Sequence, residues 1–176
     1  MLTSLHIEGF KCFETLDLPL RPLTLLAGVN GGGKSSVIQS LVLLAQSLST
    51  REWERTLLLE GPELALGSAA DVLNQRTAHR SLALGVATAD ERVVWAFRAA
   101  DRRALALELE SASVNDTEVK LDGLLRWLLP RDLAERSSVV AHLRRLSWIG
   151  AERTGPRELL PLHDARKHAH VGARGE

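Results

Sequence analysis

The hydrophobic pattern divides the first third of the chain into three short strands and one long helix. Apolar and polar residues alternate over 2–13 into a turn and again over 14–20, which predicts two strands. The apolar run at 23–27 is typical of a strand in the middle of a covered sheet. From Val37 to Leu48 apolar residues recur at three- and four-residue spacing, so we expect a helix that is buried on most sides.

The middle of the chain returns to strand-like alternation. Segments 80–88, 92–99 and 104–111 alternate and are separated by polar turns, which predicts an antiparallel meander beside the first sheet. From 121 to 145 the pattern becomes helical, with an interruption at Pro130. Trp95, Trp127 and Trp148 are expected to anchor the core. Stacking on nucleic acid would require these rings to be exposed beside a basic groove.

The segment between the third predicted strand and the helix carries the most informative motif. Residues 28–35 fit G-x-x-x-x-G-K-[ST], a P-loop whose backbone N–H groups surround phosphate oxygens. The helix that follows adds its partial positive N-terminal charge. A glycine-rich turn that merely caps a helix is the alternative, but the strand and helix that the motif needs are both predicted. The sequence therefore predicts a nucleoside triphosphate site.

Two side chains of the motif have distinct expected roles. Lys34 would reach the β and γ phosphates as a mobile positive charge. The Ser35 hydroxyl would complete the ligand shell of a Mg²⁺ ion that keeps several waters. ATP and Mg²⁺ are therefore the expected cofactors, and Ser35 is the expected metal ligand.

A P-loop ATPase also needs a carboxylate pair at the end of a later strand. The runs 57–60 and 105–108 come closest, and neither supplies Asp followed by Glu. We therefore expect no catalytic residue within this chain. The expected organisation is an incomplete ATP-binding lobe over 1–160 and a polar tail or linker over 161–176, forming the first part of a longer ATPase. Alone, it is expected to bind ATP without hydrolysing it.

Composition sets modest limits on location and partners. The 22 Lys and Arg residues balance 22 Asp and Glu residues, so no overall field draws the chain to DNA or membrane, although a local basic strip is possible. The single cysteine, Cys12, fits a reducing cytoplasm. No apolar stretch has membrane-spanning length and no signal peptide is evident, so we expect a cytoplasmic protein.

Two motifs together carry a family resemblance. The sequence reads GFKCF at 9–13 and GVNGGGKSS at 28–36. These resemble the N-terminal lobe of ABC-type ATPases of the SMC, RecF and OLD group, with Asn30 favouring this group over other P-loop enzymes. Segments 64–74 and 147–157 resemble one branch, the stand-alone bacterial AAA-type ATPases related to OLD nucleases and found in phage-defence systems.

The resemblance implies a fold and a set of nucleotide contacts. The fold would be α/β, the ABC-type N-terminal lobe of a P-loop NTPase, with a mixed sheet around the P-loop helix. The implied cofactor-binding residues are Lys11, Asn30, Gly31, Gly32, Gly33, Lys34, Ser35 and Ser36. Lys11 would lie beside the nucleotide or else be a solvated loop lysine. Residues 66–68 would approach the adenine or form a turn in which Ser68 caps a short helix through Asp71 and Asn74.

The resemblance also implies a mechanism in which ATP drives head-to-head homodimerisation and hydrolysis releases the pair. Such an ATPase would control a nuclease or toxin partner, or a DNA transaction. Three alternatives stay open: a nucleotide-sensing interaction module, a DNA-tethering repair machine and a P-loop kinase. The absence of a coiled-coil insertion after the P-loop disfavours repair. The two strands that precede the P-loop disfavour a kinase.

Two further groups of residues need interpretation. ATPases of the SMC, RecF and OLD group often have a glutamine that touches Mg²⁺ and the attacking water. In this chain the last glutamine is Gln75. Glu152 and Arg153 either substitute for that glutamine or form a surface ion pair. A possible metal cluster lies in a tail whose positive neighbours disfavour a divalent cation, so we expect a solvated linker. Its members are His163, Asp164, His168 and His170.

Overall fold

A computed structural model describes residues 1–50, 52–76 and 80–150, and it begins with an antiparallel hairpin. Strand β1 spans Ser4–Phe10 and strand β2 spans Phe13–Pro19, with the turn at Lys11 and Cys12. Leu5 and Ile7 are fully buried on one face of β1, while the alternating residues His6 and Glu8 are on the other face. The two predicted strands before the P-loop are confirmed.

The predicted helix is also confirmed, as α1 over Lys34–Thr50. Its residues from Val42 to Leu48 are all buried, on every side of the helix. One side of α1 packs against the sheet, including β1 and the short strand β3 (Thr56–Leu58), and α1 also contacts a later helix, α4 (Ser138–Leu143). The helix is therefore the centre of the fold, as its wide apolar face predicted.

One seven-stranded sheet organises the molecule. Its remaining strands are β4 Ser81–Ala87, β5 Arg92–Arg98, β6 Ala106–Val114 and β7 Thr117–Val119. The strand order is β2-β1-β4-β5-β6-β3, and β7 also pairs with β6. The predicted meander is confirmed. The pairings that the structure describes are all antiparallel, so the expected mixed sheet is not found in this part of the chain.

The short apolar run before the P-loop does not form the predicted buried strand. Residues 24–29 have no regular secondary structure. Leu23 and Leu25 are 87% and 86% exposed, whereas Leu26 packs against the core. A strand requires a neighbouring strand to accept its backbone hydrogen bonds, and the described residues give this segment none. Its sequence was compatible with a strand, but its structural context was not.

The helical prediction for 121–145 is wrong in its first half. A small hairpin lies there, formed by β8 (Leu125–Arg126) and β9 (Leu129–Pro130), and its turn has positive φ at Trp127 and Leu128. Helices α3 (Arg131–Arg136) and α4 (Ser138–Leu143) follow. Because 125 and 127–129 are all buried, the run shows no strand alternation and imitates a buried helix.

Two of the three expected tryptophan anchors lie in the core. Trp95 is fully buried, and its Nε1 donates a hydrogen bond of 3.0 Å to the Leu128 carbonyl. Trp127 is 7% exposed, whereas Trp148 is only partly buried. The Trp95 bond joins the hairpin to the sheet.

None of the helices among the described residues combines the length and apolar character needed to cross a bilayer.

Candidate nucleotide-binding site

The phosphate-binding loop packs directly on the first turn of the chain. Gly31 and Gly33 have φ of 81° and 87°, a region that disfavours residues with a Cβ atom. A Cβ on Gly33 would lie 2.6 Å from Phe13 Cζ and 2.7 Å from Cys12 Sγ. The backbone angle therefore favours glycine at this position, and any Cβ would require the Phe13 and Cys12 side chains to shift. This close approach fixes the loop against the β1–β2 turn.

The lysine of the motif is folded over its own loop. Lys34 Nζ donates hydrogen bonds to the carbonyl oxygens of Gly28 (2.9 Å) and Val29 (2.7 Å). These acceptors are neutral, so they orient the ammonium without cancelling its charge. Asn30 is exposed in the loop, and at the start of α1 Ser35 is exposed and Ser36 is partly buried. The loop thus presents N–H groups, a hydroxyl and an ammonium at one helix N-terminus.

Lys11 lies in the β1–β2 turn with φ of 50°, an uncommon value for lysine. Its N–H donates to the Val72 carbonyl (2.7 Å), and its Nζ donates to Gln39 Oε1 on α1 (2.7 Å). Burial lowers the pKa of Lys11, although Cys12 and Asp71 act in the opposite direction. The side chain is therefore tied to the P-loop helix rather than extended into solvent.

The segment after helix α2 (Ala69–Val72) closes against the same turn. The Asn74 N–H donates to the Gly9 carbonyl (2.8 Å), and Asn74 Oδ1 accepts from the Arg76 N–H (2.8 Å). The Asp71 carboxylate accepts from Ser68 N–H (2.8 Å) and Oγ (2.7 Å), and these bonds lower the pKa of Asp71. Ser68 and Asp71 thus form the expected helix cap, whereas Asn74 joins the first turn instead.

A cavity of about 360 Å³ lies between the first turn and this segment. Two of its lining residues are cationic and one is anionic, so the cavity is polar at its rim. The lining residues are Lys11, Cys12, Asp71, Leu73, Asn74, Gln75 and Arg76. Gln75 therefore lies near Lys11. Glu152, Arg153 and the histidine cluster of the tail fall outside the described residues.

Sequence reasoning missed three residues of this neighbourhood: Gln39, Asp71 as a neighbour of Lys11, and Arg76. Gln39 had one signal, because it follows Ser35 by four positions and thus shares its helix face. For the other two no local signal exists, since the pairing of distant segments brings them here.

Among residues 1–50, 52–76 and 80–150, no group of three or more His, Cys, Asp or Glu side chains is arranged to hold a metal.

The P-loop, its buried helix and the antiparallel sheet beside them define the class as a nucleotide-binding ATPase domain. Comparison with protein families agrees, because the model described as AAA ATPase domain matches residues 1–119. That match covers more than half of the chain. The chain belongs to the AAA ATPase domain family.

Individual relatives refine this assignment. An OLD nuclease from Thermus scotoductus is 43% identical over 44 residues, 25% of this chain and 8% of that protein. A DNA replication and repair protein RecF from Corynebacterium jeikeium is 35% identical over 85 residues, 46% and 20% of the respective lengths. The RecF of Thermomicrobium roseum is 44% identical over 52 residues, 29% and 13% of the lengths.

These relatives confirm the resemblance to the SMC, RecF and OLD group that the two N-terminal motifs indicated. The matched part amounts to a fifth or less of each curated relative's length. The likeness therefore concerns the ATPase region.

Proposed function

We propose that this chain binds ATP with Mg²⁺ at residues 28–36 and forms the nucleotide-binding part of an ATPase. The observation that carries the proposal is the packing of Gly33 against the first turn, together with the Lys34 side chain held by the neutral carbonyls of Gly28 and Val29. A loop that only capped a helix would not need a lysine folded over it. The family match supports ATP as the nucleotide.

The residues of the loop have separate tasks in this proposal. The N–H groups of Asn30, Gly31, Gly32 and Gly33 surround the phosphate oxygens, and Lys34 exchanges its carbonyl partners for the β and γ phosphates. Ser35 Oγ is the protein ligand for Mg²⁺, which when bound neutralises phosphate charge. Ser36, one residue further into α1, supports the helix N-terminus at which the phosphates bind.

Lys11 and the adenine side complete the proposed site. The bond from Lys11 to Gln39 holds the ammonium beside the first turns of α1, which favours a phosphate contact over the solvated-lysine alternative. For residues 66–68, the described contacts support a helix cap formed by Ser68 and Asp71. An approach of this backbone to the adenine remains a proposal for a bound complex.

The larger role follows from the relatives. RecF is named as a DNA replication and repair protein and OLD as a nuclease, so both names point to nucleic acid. We propose that ATP binding brings two copies together, that hydrolysis releases them, and that this cycle controls DNA or a nuclease or toxin partner in the cytoplasm. A formal net charge of zero means that DNA contact would need a local basic strip.

Calorimetric titration of Mg-ATP into the wild type and Lys34→Ala tests the nucleotide site. We expect the variant to lose about 2–5 kcal/mol of binding free energy, the usual loss when one member of a desolvated charge pair is removed. Lys120→Ala is the matched control, because Lys120 is an exposed lysine outside the loop. Equal affinity of Lys34→Ala and the wild type would reject the assignment.

The same preparations test hydrolysis. We expect the chain alone to release phosphate at a negligible rate, because the runs 57–60 and 105–108 end without an Asp-Glu pair. The pair Asp90-Glu91 lies in the turn between β4 and β5, where Glu91 Oε2 accepts hydrogen bonds from Ser137 Oγ, Ser138 Oγ and the Val139 N–H. Steady turnover that Lys34→Ala abolishes would show that the chain supplies its own catalytic carboxylate. Turnover that persists in Lys34→Ala would identify a contaminating ATPase.

A further inference from the structure

The contact between Lys11 and Gln39 links the first turn to the helix that begins at the P-loop. Lys11 Nζ lies 2.7 Å from Gln39 Oε1, and both side chains are partly buried. Gln39 follows Ser35 by four residues, so the two share one helix face, one turn apart. Lys11 is thereby held one helical turn from the expected metal ligand, although 24 positions separate Lys11 from Ser35 in the sequence.

The electrostatic surroundings leave the Lys11 charge in place. Among the residues that the structure describes, no carboxylate oxygen is close enough to Lys11 Nζ to form an ion pair with it. Asp71 is the nearby acidic group, and its carboxylate is bound by Ser68. An ammonium has three donors, and the described contacts use one of them. Gln39 therefore orients Lys11 while leaving donors and charge for an anion.

We propose that Gln39 is a positioning residue for nucleotide binding, because its amide oxygen holds the Lys11 ammonium where the triphosphate binds. The inference rests on the proposed function and extends it to a residue outside the P-loop motif. Gln39 acts through Lys11 and need not touch the nucleotide. The ordering of Lys11 is completed before the nucleotide arrives.

The size of the expected effect follows from side-chain freedom. Lysine is among the most rotamer-rich side chains, and ordering one such side chain on binding weakens affinity about two- to tenfold. In the folded protein, Gln39 and the positive φ of the turn already restrict Lys11. Without the amide oxygen, Lys11 would lose its rotamer freedom only when the nucleotide binds, and this loss of entropy should weaken the affinity.

Mg-ATP titration of a double-variant cycle tests the inference. Gln39→Leu should weaken affinity about two- to tenfold, and Gln39→Met, which keeps the side-chain length without the acceptor, should do the same. In a Lys11→Met background, Gln39→Leu should cause no additional loss.

The outcomes separate positioning from structural support. If Gln39→Leu weakens binding equally in the wild-type and Lys11→Met backgrounds, Gln39 acts on the helix itself and the inference fails. Unchanged affinity of Gln39→Leu and Gln39→Met also overturns it. Thermal melts identify any variant that does not fold, and Gln39→Met replaces Gln39→Leu in that case.

Failure of the inference is distinguishable from failure of the proposed function. A wild-type chain without ATP affinity, or full affinity in Lys34→Ala, rejects the nucleotide site and the inference with it. Binding that depends on Lys34 but shows no coupling between Lys11 and Gln39 rejects the inference alone.

Discussion

Gly33 shows how strongly one position can constrain the nucleotide site. Its φ of 87° strains any residue with a Cβ atom, and a Cβ there would lie 2.6 Å from Phe13 Cζ, so the Phe13 ring would have to shift. The constraint comes from contact between two motifs that lie 20 residues apart, and the P-loop pattern alone gives no hint of Phe13. The β1–β2 turn is therefore a structural support of the phosphate-binding loop as well as the origin of Lys11.

Lys11 provides a pH-dependent prediction at the residue scale. Burial lowers its pKa below the ordinary 10.5, so the free protein loses this charge earlier than an exposed lysine would. Phosphate favours the charged form. ATP affinity should therefore be full at neutral pH and decline as pH rises through the lowered pKa, in a window below 10.5. Titrations between pH 7 and 10 measure the decline.

Two variants separate the contribution of Lys11 from that of its neighbours. Lys11→Arg keeps its charge throughout this range, so its affinity should decline less. Cys12→Ser removes a group that raises the pKa of Lys11, so its affinity should decline at lower pH than that of the wild type. Identical profiles for Lys11→Arg and the wild type would show that Lys11 does not contact the phosphates.

Helix α1 depends on a buried polar residue as much as on its apolar face. Gln46 is 3% exposed, and its Nε2 donates to the carbonyls of Leu58 and Leu64, each at 3.1 Å. Its Oε1 accepts from the Leu64 N–H at 3.0 Å. One side chain thereby satisfies three backbone groups, one at the end of β3 and two on Leu64 in the segment that follows. This segment leads towards α2 and the cavity beside Lys11.

Replacement of Gln46 should therefore be strongly destabilising. Gln46→Leu keeps much of the side-chain volume but leaves buried backbone groups without partners, at a cost of about 1–3 kcal/mol for each group. Urea denaturation should show a correspondingly lower free energy of unfolding. Ser49→Ala, at an exposed position of the same helix, is the control and should change stability little. A loss below about 0.5 kcal/mol in Gln46→Leu would contradict the hydrogen-bond account.

The hairpin of β8 and β9 illustrates why pattern and structure disagree at the element scale. The run from Leu124 to Leu129 contains mostly apolar residues, which a helix or a buried hairpin can accommodate equally well. The hairpin is selected by contacts from elsewhere, including the Trp95 bond to Leu128 and the Trp127 N–H bond to the Glu52 carbonyl at 2.7 Å. Neither partner lies in the run itself.

At the scale of the whole molecule, apolar surface lies exposed around the P-loop. Leu23, Leu25 and Val29 are 87%, 86% and 79% exposed, and they belong to one segment without backbone strand partners among the described residues. Unpaired extended backbone with apolar side chains is a template for association. This surface lies immediately before the nucleotide loop, so an associating chain would contact the site.

We therefore predict concentration-dependent self-association of the chain. Light scattering should detect it, and the double variant Leu23→Ser with Leu25→Ser should reduce it. Leu105→Ser is the matched control, because Leu105 is 58% exposed outside this segment. A monodisperse wild-type monomer at high concentration would contradict the prediction, as would an equal reduction by Leu105→Ser.

The sequence by itself determined what is local and contiguous. Helix α1, the hairpin of β1 and β2, the meander of β4 to β6 and the phosphate-binding loop each follow from a periodicity or a motif within one short stretch. Lys34 and Ser35 are identifiable for the same reason, since the chemistry of the P-loop requires them at fixed positions. The group to which the chain belongs also follows from two such motifs.

Tertiary structure alone decided which distant segments meet. It left 23–27 without strand pairing, turned 125–130 into a hairpin, and brought Gln39 and residues 71–76 to Lys11. These outcomes depend on the free energy of contacts between residues far apart in the sequence, where local propensity is a weak guide. The loop that binds phosphate could thus be predicted from its own residues, whereas the neighbours that position Lys11 beside it could not.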